Sequence, residues 1–239
     1  MEYKPYETKT INVLSADAKA AQSKFMASVY GWMAFALAVT GLIAAYTATN
    51  EAMITAIVTN RLLFYGLIIA ELGAVVWLSA RIRTMSYATA VGAFMAYAVL
   101  NGLTLSFIFL VYTASSIAST FFITAGTFAV MSVFGYVTKS DLTKIGQLFF
   151  MLLIGLIIAS VVNIFLRSET IYWITTYLGV AIFVGLIAYD TQKIKNIYFE
   201  ESQGSTGVQK MAILGALTLY LDFINLFLFL LRLFGGRRD

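Results

Sequence analysis

Asp222 stands at the middle of Met211–Phe234, MAILGALTLYLDFINLFLFLLRLF. At about 1.5 Å of rise per residue, that run is long enough to cross a hydrocarbon core of about 30 Å as a helix. A carboxylate at such depth costs roughly 2.5–3.5 kcal/mol even on lenient insertion scales, so a segment whose only task was to span would carry leucine there. Gly215, Thr218, Asp222 and Asn225 recur at steps of three and four and share one helix face, while the other faces are Leu, Phe and Ile. Two further carboxyls lie in or at the end of apolar runs: Glu71 near the centre of one, Asp190 closing another. Arg81 and Arg83 close the run that carries Glu71.

The chain has neither cysteine nor histidine. Disulfides, thiolate catalysis and cysteine metal sites are excluded, as are the imidazole ligand, base and pH switch. Proton sensing or cation binding must therefore use carboxylates. If Asp190 and Asp222 are neighbours in a low-dielectric bundle, they cannot both ionise cheaply; they share a proton and titrate in coupled steps. Loss of that proton obliges the site to take up a cation or to separate and pair with arginine. Ionised carboxylates with Asn and backbone oxygens suit a hard cation such as Ca²⁺, and two side chains make a weak site fitted to passage more than storage. Simpler readings stand beside these. Asp190 fits an interfacial residue, Arg81 and Arg83 fit topology anchors, Glu71 fits a helix–helix hydrogen bond, and Asn101 and Asn163 fit packing between helices.

The elements that must position these groups are helices. Of 239 residues, 60% are apolar and 12% charged, against about 45–50% and about 25% in soluble domains. Seven spans follow closely: 28–49, 62–80, 87–112, 117–138, 146–166, 171–189 and 211–234. They leave a polar tail at 1–27, a transmembrane domain at 28–234 and a short tail at 235–239. No internal repeat and no cleavable signal peptide is expected. The spread glycines, Gly41, Gly92, Gly102, Gly126, Gly155, Gly179, Gly185 and Gly215, read as ordinary packing contacts. Lys and Arg gather in the tail and in the linkers after spans two, four and six, which places the N-terminus in the cytoplasm. Arg232, Arg237 and Arg238 oppose that rule if the last segment spans; the long unbroken run favours spanning over a re-entrant turn. The modest net charge of +4 follows from topology and calls for no nucleic-acid partner.

Three stretches resemble the Bax inhibitor (transmembrane Bax inhibitor motif) family: VYGWMAFALAVTGLIAAY at Val29–Tyr46, GLIAYDTQKIKN at Gly185–Asn196 and LTLYLDFINLFLFLLRLFG at Leu217–Gly235. The resemblance covers essentially the whole chain. It implies an all-α membrane protein, a seven-helix bundle with the last helix central and wrapped by the other six. It also implies a pH-sensitive calcium leak gated by two aspartates sharing a proton, matched here by Asp190 in AYDTQ and Asp222 in LYLDFIN. The family's basic latch partner lies at the cytoplasmic end of the second helix, where Arg81 and Arg83 both qualify.

The leading expectation is thus a non-enzymatic, proton-regulated calcium leak in a bacterial inner membrane. Asp190 hydrogen-bonds Asp222 when closed, Arg81 or Arg83 restrains Asp190, Glu71 and Asn225 line the route, and no cofactor beyond the transported calcium is needed. One alternative is a membrane interaction protein modulating a membrane-anchored ATP-dependent protease, as discussed for some bacterial relatives, with its determinants in the tail and loops. Another is a cation/proton antiporter; the absence of repeats and broken helices argues against it. An intramembrane aspartyl protease is disfavoured, because YDTQ and YLDFIN lack a glycine-rich context.

Overall fold

The computed structural model describes residues 16–201 and 205–236. Residues 1–15 of the expected N-terminal tail and 237–239 of the C-terminal tail lie outside the described residues. The chain runs through α1 (Ala16–Thr49), α2 (Glu51–Thr59), α3 (Arg61–Arg81), α4 (Tyr87–Leu105), α5 (Ile108–Val111), α6 (Ala114–Val137), α7 (Thr143–Leu166), α8 (Glu169–Glu201) and α9 (Ser205–Phe234). Seven of the described segments are long and apolar enough to cross a membrane, at the places the hydropathy runs indicate.

Helix ends are set by side chains that satisfy the free backbone N–H groups of a first turn. Asn50 starts α2 by accepting from the Met53 N–H at 3.1 Å, and Asn60 starts α3 by accepting from that of Leu63 at 3.2 Å. Ser86 and Thr113 cap α4 and α6 through the N–H groups of Thr89 and Ser116. Asn163 works at the opposite kind of end. Its Oδ1 accepts from the Ser168 N–H at 2.9 Å, closing the turn in which Arg167 takes a left-handed conformation (φ 50°). Asn163 therefore shapes a turn, and Asn101 donates to the Tyr97 hydroxyl within its own helix, so neither joins two helices as expected. The short helix α2 and the break between α4 and α5 were not legible as separate elements within the apolar pattern. Two helices are longer than their apolar cores: α1 takes in residues from 16 onward, and α8 continues beyond Tyr189 to Glu201.

The last helix, α9, is the centre. Of its most apolar window 72% is buried, against 6% for α3 and 6% for α7. It packs directly against α1, α4, α6 and α8, and α3 and α7 extend the wrap from its edges through α4 and α8. The C-terminal end of α9 is tied to the start of α6: the Thr113 N–H donates to the Gly236 carbonyl at 3.1 Å, and the Gly236 N–H to Ser116 Oγ at 2.9 Å. The start of α6 lies at the opposite end of the bundle from the α8–α9 linker. The final segment therefore spans and does not turn back.

Close helix crossings fall at particular glycines. A Cβ on Gly135 of α6 would lie 2.2 Å from the Ala188 carbonyl oxygen of α8, and one on Gly146 of α7 would strike the Tyr189 ring. Gly102, Gly179, Gly185 and Gly215 are similarly hemmed in, but Gly41, Gly92, Gly126 and Gly155 have nothing within 4 Å of that position, so the packing role expected of every spread glycine holds for only half of those eight. Gly135→Val is expected to lower stability by about 1–3 kcal/mol through overpacking. Gly126→Ala should be neutral or slightly stabilising. Thermal unfolding of both variants in detergent measures the contrast, and equal losses would contradict the crossing geometry.

Candidate functional site

The register of α8 against its neighbours is fixed by closely spaced residues that bind α6, the α6–α7 connection and α1. Thr191 Oγ1 donates to Ser132 Oγ of α6 at 3.4 Å. Gln192 grips the α6–α7 connection twice, accepting from the Leu142 N–H and donating to the Ser140 carbonyl, both at 2.9 Å. Lys195 donates to the Tyr136 carbonyl at 2.8 Å and lies over that residue's ring, while Gln22 of α1 donates to the Lys195 carbonyl at 3.0 Å. These contacts hold the register of Asp190, on the cavity side of α8 and beside α9.

There it meets Asp222. The two carboxyls lie within hydrogen-bonding reach of each other. Asp222 is buried, 5% exposed, and its Oδ2 has no hydrogen-bond partner among the described residues. No N–H or O–H of the described residues is aimed at that oxygen, and two carboxyls this close in a low-dielectric interior cannot both be ionised cheaply. Lys193, one turn along α8, lies near enough to act on the Asp190 charge. Among the described residues no third acidic side chain joins them to form a metal cluster.

Beside the pair runs a cavity of about 1300 Å³ walled by α7, α8 and α9. Its lining on α7 extends from Gly146 to Ile164, eighteen residues of helix or about 27 Å, nearly the thickness of a hydrocarbon core. On α9 it is bounded by Thr218, Leu221, Asp222, Asn225, Phe229 and Arg232. Thr218, Leu221 and Asn225 belong to the one stripe of this helix that is not fully buried, with Leu214 and Leu228. The expected polar face of Gly215, Thr218, Asp222 and Asn225 is close to this stripe, but Gly215 is buried on Ile194 instead.

The other expected residues fall apart from the pair. Arg81 and Arg83 are exposed at the end of α3, and neither forms an ion pair with Asp190. The Arg83 carbonyl accepts instead from Lys210 at the base of α9, at 2.7 Å. Glu71 does not line the cavity. Its carboxylate accepts from the Thr104 hydroxyl of α4, beside Tyr97 and Tyr220. Tyr220 bonds Thr40 at 2.7 Å, and Thr40 donates to the Ala98 carbonyl at 2.9 Å. Tyr220 and Asp222 are two residues apart, about 200° around the helix, so Glu71 belongs to a second polar cluster on the far side of α9. Asn225 does line the cavity, with its amide turned to the Leu221 carbonyl at 2.8 Å. Sequence reasoning missed Gln192, Lys193 and Arg232 as site residues. The signal for Arg232 was present, because Thr218, Asn225 and Arg232 recur every seven residues along one face.

Seven membrane-length helices packed around a carboxyl pair and its neighbouring cavity define an all-α integral membrane protein. The chain belongs to the Bax inhibitor family: the family model described as "Inhibitor of apoptosis-promoting Bax1" matches residues 22–239. It is similar to the inner membrane protein YbhL of Escherichia coli K12, 52% identical over 221 residues that cover 92% of this chain and 94% of the relative. Uncharacterized proteins of Rickettsia prowazekii and Borreliella burgdorferi are 46% and 44% identical, covering 90% and 91% of this chain and 91% and 94% of their own.

Gln192→Leu should lower unfolding stability by about 1–3 kcal/mol, because it removes the acceptor of the part-buried Leu142 N–H. An unchanged melting temperature in detergent would show that the clamp carries no energy.

Proposed function

We propose that this protein is a passive, proton-regulated cation leak, with Ca²⁺ as the ion, in a bacterial inner membrane with its N-terminus in the cytoplasm. The observation that carries the reading is the cavity, which runs about 27 Å along α7 and passes the Asp190–Asp222 pair. Carboxylate and amide oxygens of Asp190, Asp222 and Asn225 are the ligand types a hard cation accepts, and their small number suits transit. The E. coli relative is named an inner membrane protein, and the Lys/Arg distribution supports the orientation.

The direction of regulation follows from which groups are joined. The carboxyls are together while α3 packs on α4 and its arginines stand away from Asp190, and in this arrangement the cavity is open between α7 and α9. In this reading the shared-proton contact accompanies the open cleft, whereas the sequence expectation has Asp190 hydrogen-bonding Asp222 when closed. When the pair loses its proton, the excess charge is relieved by a cation. Arg81 or Arg83, brought from α4 toward α8, is the fixed cation able to do this, and that movement carries the end of α3 toward the cleft. Acidification keeps the pair joined and the cleft open.

In proteoliposomes, Ca²⁺ flux should rise as pH is lowered across the physiological range, roughly pH 8 to 6, by at most about tenfold per unit for one titrating proton. Asp222→Asn should remove that pH dependence, and Arg81→Ala or Arg83→Ala should keep flux high at the alkaline end. Flux independent of pH in the wild-type protein, or the same profile in Asp222→Asn, would refute the reading.

A further inference from the structure

Arg232 sits in the last turn of α9, at the end of the cavity away from Lys193. Its guanidinium lies over the ring of Phe229 at 5.3 Å and over that of Tyr172 of α8 at 5.9 Å. Among the described residues no carboxylate pairs with it. Arg232 is exposed, and it borders the groove with its guanidinium on these two rings. Below it the walls are mostly apolar, with Leu153, Ile157 and Val161 of α7 and Leu221 and Phe229 of α9, broken by Ser160, Asn163 and Thr175. Because α7 packs on α8 and does not close on α9, the groove is open sideways, where a bilayer presents acyl chains.

The length of this region points to what fills it. Arg232 and Asp222 are ten residues apart on one helix, about 15 Å, which is half of a hydrocarbon core of about 30 Å. A lipid whose phosphate is held at Arg232 thus has acyl chains ending at the carboxyl pair. Arginine's planar donor fork matches a phosphate diester, and a cation at a helix end beside a mostly apolar groove is placed to hold one.

We propose that this half of the groove is a phospholipid site. The phosphate of one lipid from the leaflet at the C-terminal end of α9 rests on Arg232, and one acyl chain lies between α7 and α9 down to Asp222. A lipid with an anionic headgroup is favoured, since it brings no ammonium to oppose the guanidinium. Seated there, the chain keeps water from Asn225 and the aspartates. This plugging role rests on the leak reading; the binding site does not.

The test is native mass spectrometry of the purified full-length protein titrated with phosphatidylglycerol. The wild-type chain should retain one tightly held lipid. Arg232→Ala should weaken it by about tenfold or more, Arg232→Lys should restore part of the binding, and Val161→Phe should weaken it by filling the groove while leaving the cation in place. Equal retention by all four proteins, the mark of annular lipid only, would overturn the site. So would full displacement by inorganic phosphate, the mark of a plain anion site. In proteoliposomes, Arg232→Ala should raise Ca²⁺ flux at fixed pH and preserve its pH profile. Lipid retention without flux in any variant would leave the site standing and remove the leak reading with the plug.

Discussion

One carboxyl group at mid-membrane sets the terms for the rest of this molecule. Asp222 is buried on the helix that every span is arranged around, and no donor reaches its Oδ2 among the described residues. In hydrocarbon, that oxygen has few ways to be satisfied: a proton, a cation or water. The fold sets Asp190 beside it and leaves a cavity running past the pair. The contact is only as stable as the register of α8, which explains why the residues following Asp190 are spent on neighbours: Thr191 on α6, Gln192 on the α6–α7 connection, Lys195 on Tyr136.

The two faces of α9 serve different ends. On one side Tyr220, Thr40, Tyr97 and Glu71 form a hydroxyl-rich cluster that ties α3 and α4 to the centre, and aromatic edges pack it closely: Phe94 and Tyr97 meet the Tyr220 ring at 5.7 and 5.9 Å. On the other side Thr218, Leu221, Asn225 and Arg232 look into open space. The division places rigidity behind the aspartate and access in front of it. Both polar clusters contain a carboxyl; the pair on the open side lines the cavity, and Glu71 does not. In this arrangement α3 is the loosest span, held by α4 and by the short helix α2, and it carries the arginines that the proposed latch needs.

Much of this was legible in the residues. Seven spans, the all-α class and the choice of Asp222 followed from apolar run lengths and from the cost of charge within them. The family resemblance, carried by AYDTQ and LYLDFIN, paired it with Asp190. The positions that sequence reasoning misjudged share a physical cause. Glu71 and Asp222 look alike in one dimension, each a carboxyl midway along a span, yet they lie on different sides of the central helix. Gly126 and Gly135 are equally small, but only Gly135 meets a backbone. Asn163 seemed a packing residue and is a turn-former, because Arg167 takes a left-handed conformation just beyond it.

By itself, then, the sequence determined what the bilayer judges one segment at a time: which runs enter it, where each ends, and which buried groups demand a partner. Hydrophobic transfer and charge burial depend on local composition, so they can be read without knowing the neighbours. Partner choice was decided only by the tertiary structure. Whether Asp190 meets Asp222 or an arginine, whether Arg232 points to solvent or across a groove, and which stripe of α9 is left uncovered all depend on how helices far apart in sequence are turned and spaced. Those relations come from side-chain packing and from the few glycines at which two backbones touch.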